Sequence, residues 1–182
     1  LSKTKKYKSK KFYQLDSKFT GETVKSKINR LLLFMSKNKI DNIFISAPEN
    51  VSWLLNLRGS DNPYSPIPNC RLILSKSKKI YLFASKFKIN DIRNKISINI
   101  NYIQEDDFYD VINKLKGVNF SIDEISCSIY FEKLLSSKFK IINKSDPCYL
   151  FKSIKNTTEL KNMEKAHIED GVALTKFLYW IK

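Results

Sequence analysis

Between Thr20 and Asn143, short apolar runs alternate with stretches whose apolar residues recur at helical spacing. That alternation restricts the chain to an α/β architecture, with strands covered by helices. Thr20 is expected to cap a first helix, with Val24, Ile28, Leu31, Leu32 and Met35 on its buried side. Asp41-Asn42 then turns the chain into a buried strand over Ile43 to Ser46, and Pro48 suits the first turn of a short helix carrying Trp53. Two apolar runs, Arg71 to Leu74 and Ile80 to Phe83, are separated by Ser-Lys-Ser-Lys-Lys and read as a hairpin. Further on, the pattern predicts a helix over Lys88 to Lys95 and a strand over Asn101 to Ile103. A helix follows from Asp106-Asp107 to Gly117, with Phe108, Val111, Ile112 and Leu115 inward. A strand over Val118 to Ile122, a helix over Ser126 to Leu135 with Ile129, Leu134 and Leu135 inward, and a strand over Phe139 to Ile142 complete the series. The hairpin introduces an antiparallel component, so the sheet is expected to be mixed.

The two ends read differently. Residues 1–19 are lysine-rich and lack periodicity, as expected of a basic linker from a preceding domain, with Phe12, Tyr13 and Leu15 touching the fold. Residues 20–150 form the domain proper. Asp146-Pro147 breaks the pattern, and Tyr149 to Lys155 is expected to be a short extended connector. Asn156 with Glu159 resembles a capping box, and helical spacing then continues from Leu160 to Ile181. At 1.5 Å per residue this helix is roughly 36–40 Å long. It reaches Tyr179-Trp180-Ile181-Lys182 without a stop signal, so residues 151–182 are expected to be a connector and the first helix of a further domain.

The formal net charge of +15 raises a nucleic-acid reading, but 29 of the 33 basic residues are lysine. Phosphate and base recognition favours the arginine fork. Lysine, isoleucine and asparagine rising together is also what AT-rich coding produces without any acidic partner. A lysine-rich module for RNA or anionic surfaces stays open as an alternative, as does a catalytically dead interaction domain. Cys70, Cys127 and Cys148 are scattered, which argues against a disulfide framework or a zinc site and suggests a reducing cytoplasm. No window approaches the ~20 apolar residues of a membrane span. The single histidine, His167, cannot build a two-histidine metal motif, and no glycine-rich phosphate loop is present. The acidic pairs Asp106-Asp107 and Glu169-Asp170 are explained by capping and solvation.

From Asn56 to Cys70 the chain can be neither regular helix nor strand, and three prolines (Pro63, Pro66, Pro68) stiffen it. Loops longer than about 12 residues are usually functional or disordered, and the prolines oppose disorder. The candidate site residues lie here: Arg58, Gly59, Ser60 and Asp61, with Trp53 and Asn56 anchoring the root beside Leu54 and Leu55. Two arrangements are open. Either Arg58 and Asp61 pair across a tight turn that Gly59 permits, or Arg58 points outward to hold a carboxylate or carbonyl while Asp61 orients it.

The string WLLNLRGSDNPYSPIPN (Trp53 to Asn69), followed by an apolar hairpin, resembles the middle domain of three-domain Xaa-Pro aminopeptidases of the aminopeptidase P type. KSIKNTTELKNMEKAHIEDGVALTKFLYWIK (Lys152 to Lys182) is similar to that family's junction between middle and catalytic domains, and GETVKSKINRLL from Gly21 also fits. The resemblance implies a creatinase-like α/β domain within a cytoplasmic, dimeric metallopeptidase. Such an enzyme removes the N-terminal residue from peptides with proline in second position, generally using two Mn²⁺ ions. It also implies that the metal ligands lie beyond Lys182. This chain is then a non-catalytic domain that shapes the substrate cleft and contacts its own catalytic domain or a dimer mate, with no metal site, nucleic acid or membrane of its own.

Overall fold

The computed structural model describes residues 11–182, apart from 63, 91, 93–95 and 97. The stretch begins with β1 (Tyr13–Gln14), α1 (Ser17–Thr20), α2 (Val24–Lys37), β2 (Asn42–Ile45), α3 (Pro48–Leu55) and β3 (Leu57–Arg58). Next come the hairpin β4 (Arg71–Ser75) and β5 (Ile80–Phe83), then α4 (Lys86–Ile89) and β6 (Asn101–Ile103). A single 3₁₀ turn, Glu105–Asp107, leads into α5 (Phe108–Lys114), followed by β7 (Asn119–Ile122), α6 (Ile129–Ser136) and β8 (Lys140–Asn143). The described chain closes with α7 (Pro147–Ser153) and α8 (Thr157–Trp180).

Six strands form one mixed sheet in the order β6-β5-β4-β2-β7-β8. The hairpin strands β4 and β5 are antiparallel, as is β4 against β2, while β2–β7, β7–β8 and β5–β6 are parallel. Because successive side chains in a strand point to opposite faces, the central strands feed two cores. Ile43, Ile45, Leu72, Leu74, Ile80 and Leu82 meet α2 and α3 on one face. Phe44, Ile73, Phe83, Phe120 and Ile122 meet α5 and α6 on the other. Burial on both faces is why these strands read as unbroken apolar runs rather than alternating ones.

Several expectations are corrected. Thr23, not Thr20, caps α2, its hydroxyl accepting from the Ser26 N–H. Thr20 instead closes α1, because Gly21 takes φ 68° and ends that turn. The 88–95 helix begins earlier and is seen only as α4, and positions 91 and 93–95 lie outside the described residues. Tyr149 to Lys155 is not extended: Pro147 sits at the first position of α7 and Asp146 caps it by accepting from the Cys148 N–H. Ile129 is 64% exposed, so α6 turns Phe131, Leu134 and Leu135 inward instead. Residues 11–19, expected as the end of a linker, take a set place on the fold. Phe12 is buried in the core, and β1 pairs antiparallel with β3, Tyr13 opposite Arg58. The lysine run from Lys3 to Lys10 lies outside the described residues.

The capping box at Asn156 and Glu159 is present, and α8 runs for 24 residues without a buried residue. Its base is tied to α1, with Asn156 Nδ2 donating to the Thr20 carbonyl and Asn162 Nδ2 to the Phe19 carbonyl. Trp180 is 79% exposed.

Candidate functional site

The root of the proline loop is built on a buried cation. Lys27 falls between Val24 and Leu31 on the inward stripe of α2, and its Nζ donates to Asn56 Oδ1 at 2.7 Å and to the Trp53 carbonyl at 2.8 Å. The same ammonium lies 4.2 Å from the centre of the Trp53 ring. Burial brings its pKa down to about 8, and Glu22 opposes that shift. Asn56 takes φ 52°, in the left-handed region, where an asparagine is tolerated better than most residues. Its Nδ2 donates to the Glu22 carbonyl at 3.0 Å. The two expected anchors, Trp53 and Asn56, are thus brought together by a residue that sequence reasoning passed over. The available signal was a lysine at position 27 between apolar neighbours three and four residues away.

Replacing Asn56 by alanine is expected to cost about 2–3 kcal/mol, because a buried ammonium and a carbonyl each lose a partner. Asn56→Gly, which relieves the left-handed strain but not the lost bonds, should recover only part of this in urea denaturation.

The four loop candidates separate in the structure. Asp61 is buried and forms an ion pair with Lys88, Nζ to Oδ2 at 2.5 Å, with side chains 4% and 1% exposed for lysine and aspartate. Asp61 also accepts from the Asn69 N–H at 2.6 Å, and Lys88 donates to the Asn69 carbonyl at 2.9 Å. Neither expected arrangement of an Arg58–Asp61 couple is present: Asp61 neither pairs with Arg58 nor orients it. Gly59 is needed for close approach rather than for an unusual φ, since a Cβ there would stand 2.6 Å from Pro68 Cβ. Its N–H donates to the Pro66 carbonyl at 2.9 Å. Ser60 is exposed. Pro63 lies outside the described residues.

Arg58 is half-buried, and its Nη1 donates to the Leu57 carbonyl at 2.7 Å and more weakly to the Ser52 carbonyl at 3.4 Å. Burial lowers its pKa from the ordinary arginine value. No carboxylate pairs with it among the described residues. It opens onto a cleft of about 560 Å³ between α3, the proline loop and α7, whose walls include Trp53, Pro66, Tyr149, Lys152 and Glu159. Tyr149 donates its hydroxyl to Glu49 Oε1 at 3.3 Å, and its pKa is pushed up to about 12, chiefly by burial and then by the Glu49 charge. Lys152 donates to Asn50 Oδ1 at 2.6 Å, and Asn50 in turn donates to the buried Asp146 carboxylate at 2.7 Å. Burial raises the pKa of Asp146. Trp53 lines this cleft, and its indole N–H is buried without a partner. The cleft therefore offers an arginine without a carboxylate, which suits a carbonyl or carboxylate. No group of three histidine, cysteine or acidic side chains that could hold a metal exists among the described residues. No helix among them is long and apolar enough to cross a membrane.

The profile described as Creatinase/Prolidase N-terminal domain matches residues 3–159. Xaa-Pro aminopeptidase 1 of Dictyostelium discoideum is 30% identical over 179 residues, which is 97% of this chain and 28% of that protein. A probable Xaa-Pro aminopeptidase P of Sclerotinia sclerotiorum is 27% identical over 176 residues, 90% of this chain and 29% of that one. The chain thus spans less than a third of the length of these curated relatives. Among solved structures, X-prolyl aminopeptidase from Caenorhabditis elegans, described as a cytosolic enzyme with a di-nuclear active site, shares the fold at TM-score 0.84. That likeness has 22% identity and covers 97% of this chain and 30% of the other. An Xaa-Pro dipeptidase from Bacillus anthracis matches at TM-score 0.59 and 16% identity, over 76% of this chain and 38% of the other.

Proposed function

The chain belongs to the Creatinase/Prolidase N-terminal domain family, and on that premise we propose that it is the non-catalytic middle domain of an Xaa-Pro aminopeptidase. The parent enzyme would remove the N-terminal residue preceding proline, in the cytoplasm and as a homodimer. The two metal ions, Mn²⁺ by resemblance, would be held by the parent's catalytic domain, a reading supported by the di-nuclear active site in the description of the Caenorhabditis elegans enzyme. This domain would supply a wall of the substrate cleft. The observation that carries this reading is Arg58: a half-buried guanidinium bonded to carbonyls rather than to a carboxylate, at the mouth of a cleft.

A rigid loop suits that task. It positions a donor without being reordered at each turnover, and here Asp61, Gly59 and Asn56 each fix it at a different point. The exposed apolar residues of α8, including Leu174, Phe177 and Trp180, are proposed to pack against the catalytic domain.

In the full parent enzyme, Arg58→Ala is expected to lower kcat/KM by about 10–100-fold, the worth of one charged hydrogen bond. Metal content should stay unchanged, and Tm should fall by a few degrees at most, from the lost bonds to the Leu57 and Ser52 carbonyls. Activity within twofold of the parent would remove Arg58 from the cleft.

A further inference from the structure

The amino ends of the parallel strands and the tip of the β4–β5 hairpin converge at the sheet end opposite the carboxyl ends of β2, β7 and β8. Three loops meet there: the turn before β2, the hairpin turn 76–79 and the connection 114–118 from α5 to β7. Asp41 knits them together. Its carboxylate accepts from the Val118 and Asn119 N–H groups at 2.7 and 3.0 Å and pairs with Lys76 at 2.5 Å. It is the only acidic residue in these three loops and is fully engaged.

Around it, Lys76, Lys79, Lys114 and Lys116 line one cavity of about 400 Å³, with Lys39 and Lys78 in the adjoining turns. The ammonium groups of Lys79, Lys114 and Lys116 have no hydrogen-bond or ion-pair partner among the described residues. Tyr81, Ser75 and Ser77 also line the cavity. Ser77 donates to Ser75 Oγ at 3.1 Å, leaving the Ser75 proton available as a donor.

A helix C-terminus normally repels an anion, and α5 ends beside this cavity. Lys138 removes that objection by donating to the Ile112, Asn113 and Leu115 carbonyls at 2.9, 2.6 and 3.0 Å. The three loops at this end hold six lysines and Asp41 as their single carboxylate, whereas the opposite end of the same strands mixes both signs, with Glu49, Asp123, Glu124 and Asp146 beside Arg71, Lys86, Lys144 and Lys152.

We propose that this cavity is a binding site for a diphosphate or longer polyphosphate group, held by Lys79, Lys114 and Lys116 with Ser75 as a neutral donor. The site is independent of the Arg58 cleft and of the aminopeptidase reading. A multiply charged phosphate fits the observations because three lysines from two loops line one cavity and none of them has an ion-pair partner among the described residues, and lysine binds phosphate as a point charge.

Inorganic pyrophosphate titrated into the ¹⁵N-labelled chain at about 0.15 M salt should give saturable shifts confined to 75–81 and 114–118, with Kd below about 1 mM. The double replacement Lys79→Gln with Lys116→Gln should weaken binding at least tenfold. Lys155→Gln with Lys165→Gln removes the same charge elsewhere and should leave binding unchanged. Adenosine diphosphate distinguishes the source. Equal affinity assigns the site to phosphate alone, and tighter binding with the same footprint assigns it to a nucleotide. Absence of saturation, or equal weakening by both double replacements, would overturn the proposal by reducing the effect to net charge.

Discussion

Lys88→Met lowers the stability of this domain by about 3–5 kcal/mol, because it takes a buried ammonium away from the buried Asp61 carboxylate and breaks the pair on one side only. Both side chains of the pair are almost fully withdrawn from solvent, at 4% and 1% exposure, so water cannot replace the missing ammonium. For a chain of this size the loss corresponds to a fall in Tm of roughly 6–20 °C. Combining Lys88→Met with Asp61→Asn removes both charges while an amide oxygen still accepts from the Asn69 N–H, and most of the stability should return. Urea denaturation of the single and double replacements forms the test. A single replacement within about 1 kcal/mol of the unsubstituted chain would mean that the pair is solvated in solution. The same pair bears on function: the loop that presents Arg58 is held by Asp61, so Lys88→Met in the parent enzyme should also disturb the cleft.

Phe108→Ala is the second large effect, at about 3–5 kcal/mol. Phe108 is the hub of the core between the sheet and α5–α6, with ring centres 5.5 Å from Phe44, 4.7 Å from Phe83 and 4.7 Å from Phe131. Three tilted or edge-on neighbours lose their contacts at once, and rings from two strands and a second helix cannot all collapse into the space. Ile129→Ala makes the contrasting control. Sequence periodicity places Ile129 inward and the structure leaves it exposed, so its truncation should change stability by no more than about 0.5 kcal/mol. An equal cost for the two replacements, in thermal or urea unfolding, would put the α6 face the other way round.

Much of the architecture was legible because a doubly buried sheet imposes apolar runs of strand length, and the helices covering it impose a 3.6-residue stripe. The β4–β5 hairpin, the inward residues of α2 and α5, and the Asn156–Glu159 capping box all follow from such local rules. Where local rules competed, they failed. Thr20 and Thr23 are both acceptable caps, and the left-handed Gly21 between them decides for Thr23. Asp146-Pro147 reads equally well as a breaker or as a helix start, and burial of Pro147 and Cys148 against the core chooses the helix. Of the site, the position and stiffness of the loop were legible but its internal pairing was not. Arg58 and Asp61 are neighbours in sequence, yet the buried partner of Asp61 is Lys88, 27 residues away, and a second buried lysine, Lys27, supports Trp53 and Asn56.

Periodicity, turn residues and caps are short-range properties, and they settled the α/β class, the mixed sheet and the capped start of the long final helix. Which charges meet was decided only in three dimensions. A lysine on an apolar stripe, a carboxylate beside prolines, and lysines from separate loops carry no local mark of their partners. Their pairing depends on which side chains lose water together when the layers close, and that is a property of the packed structure alone.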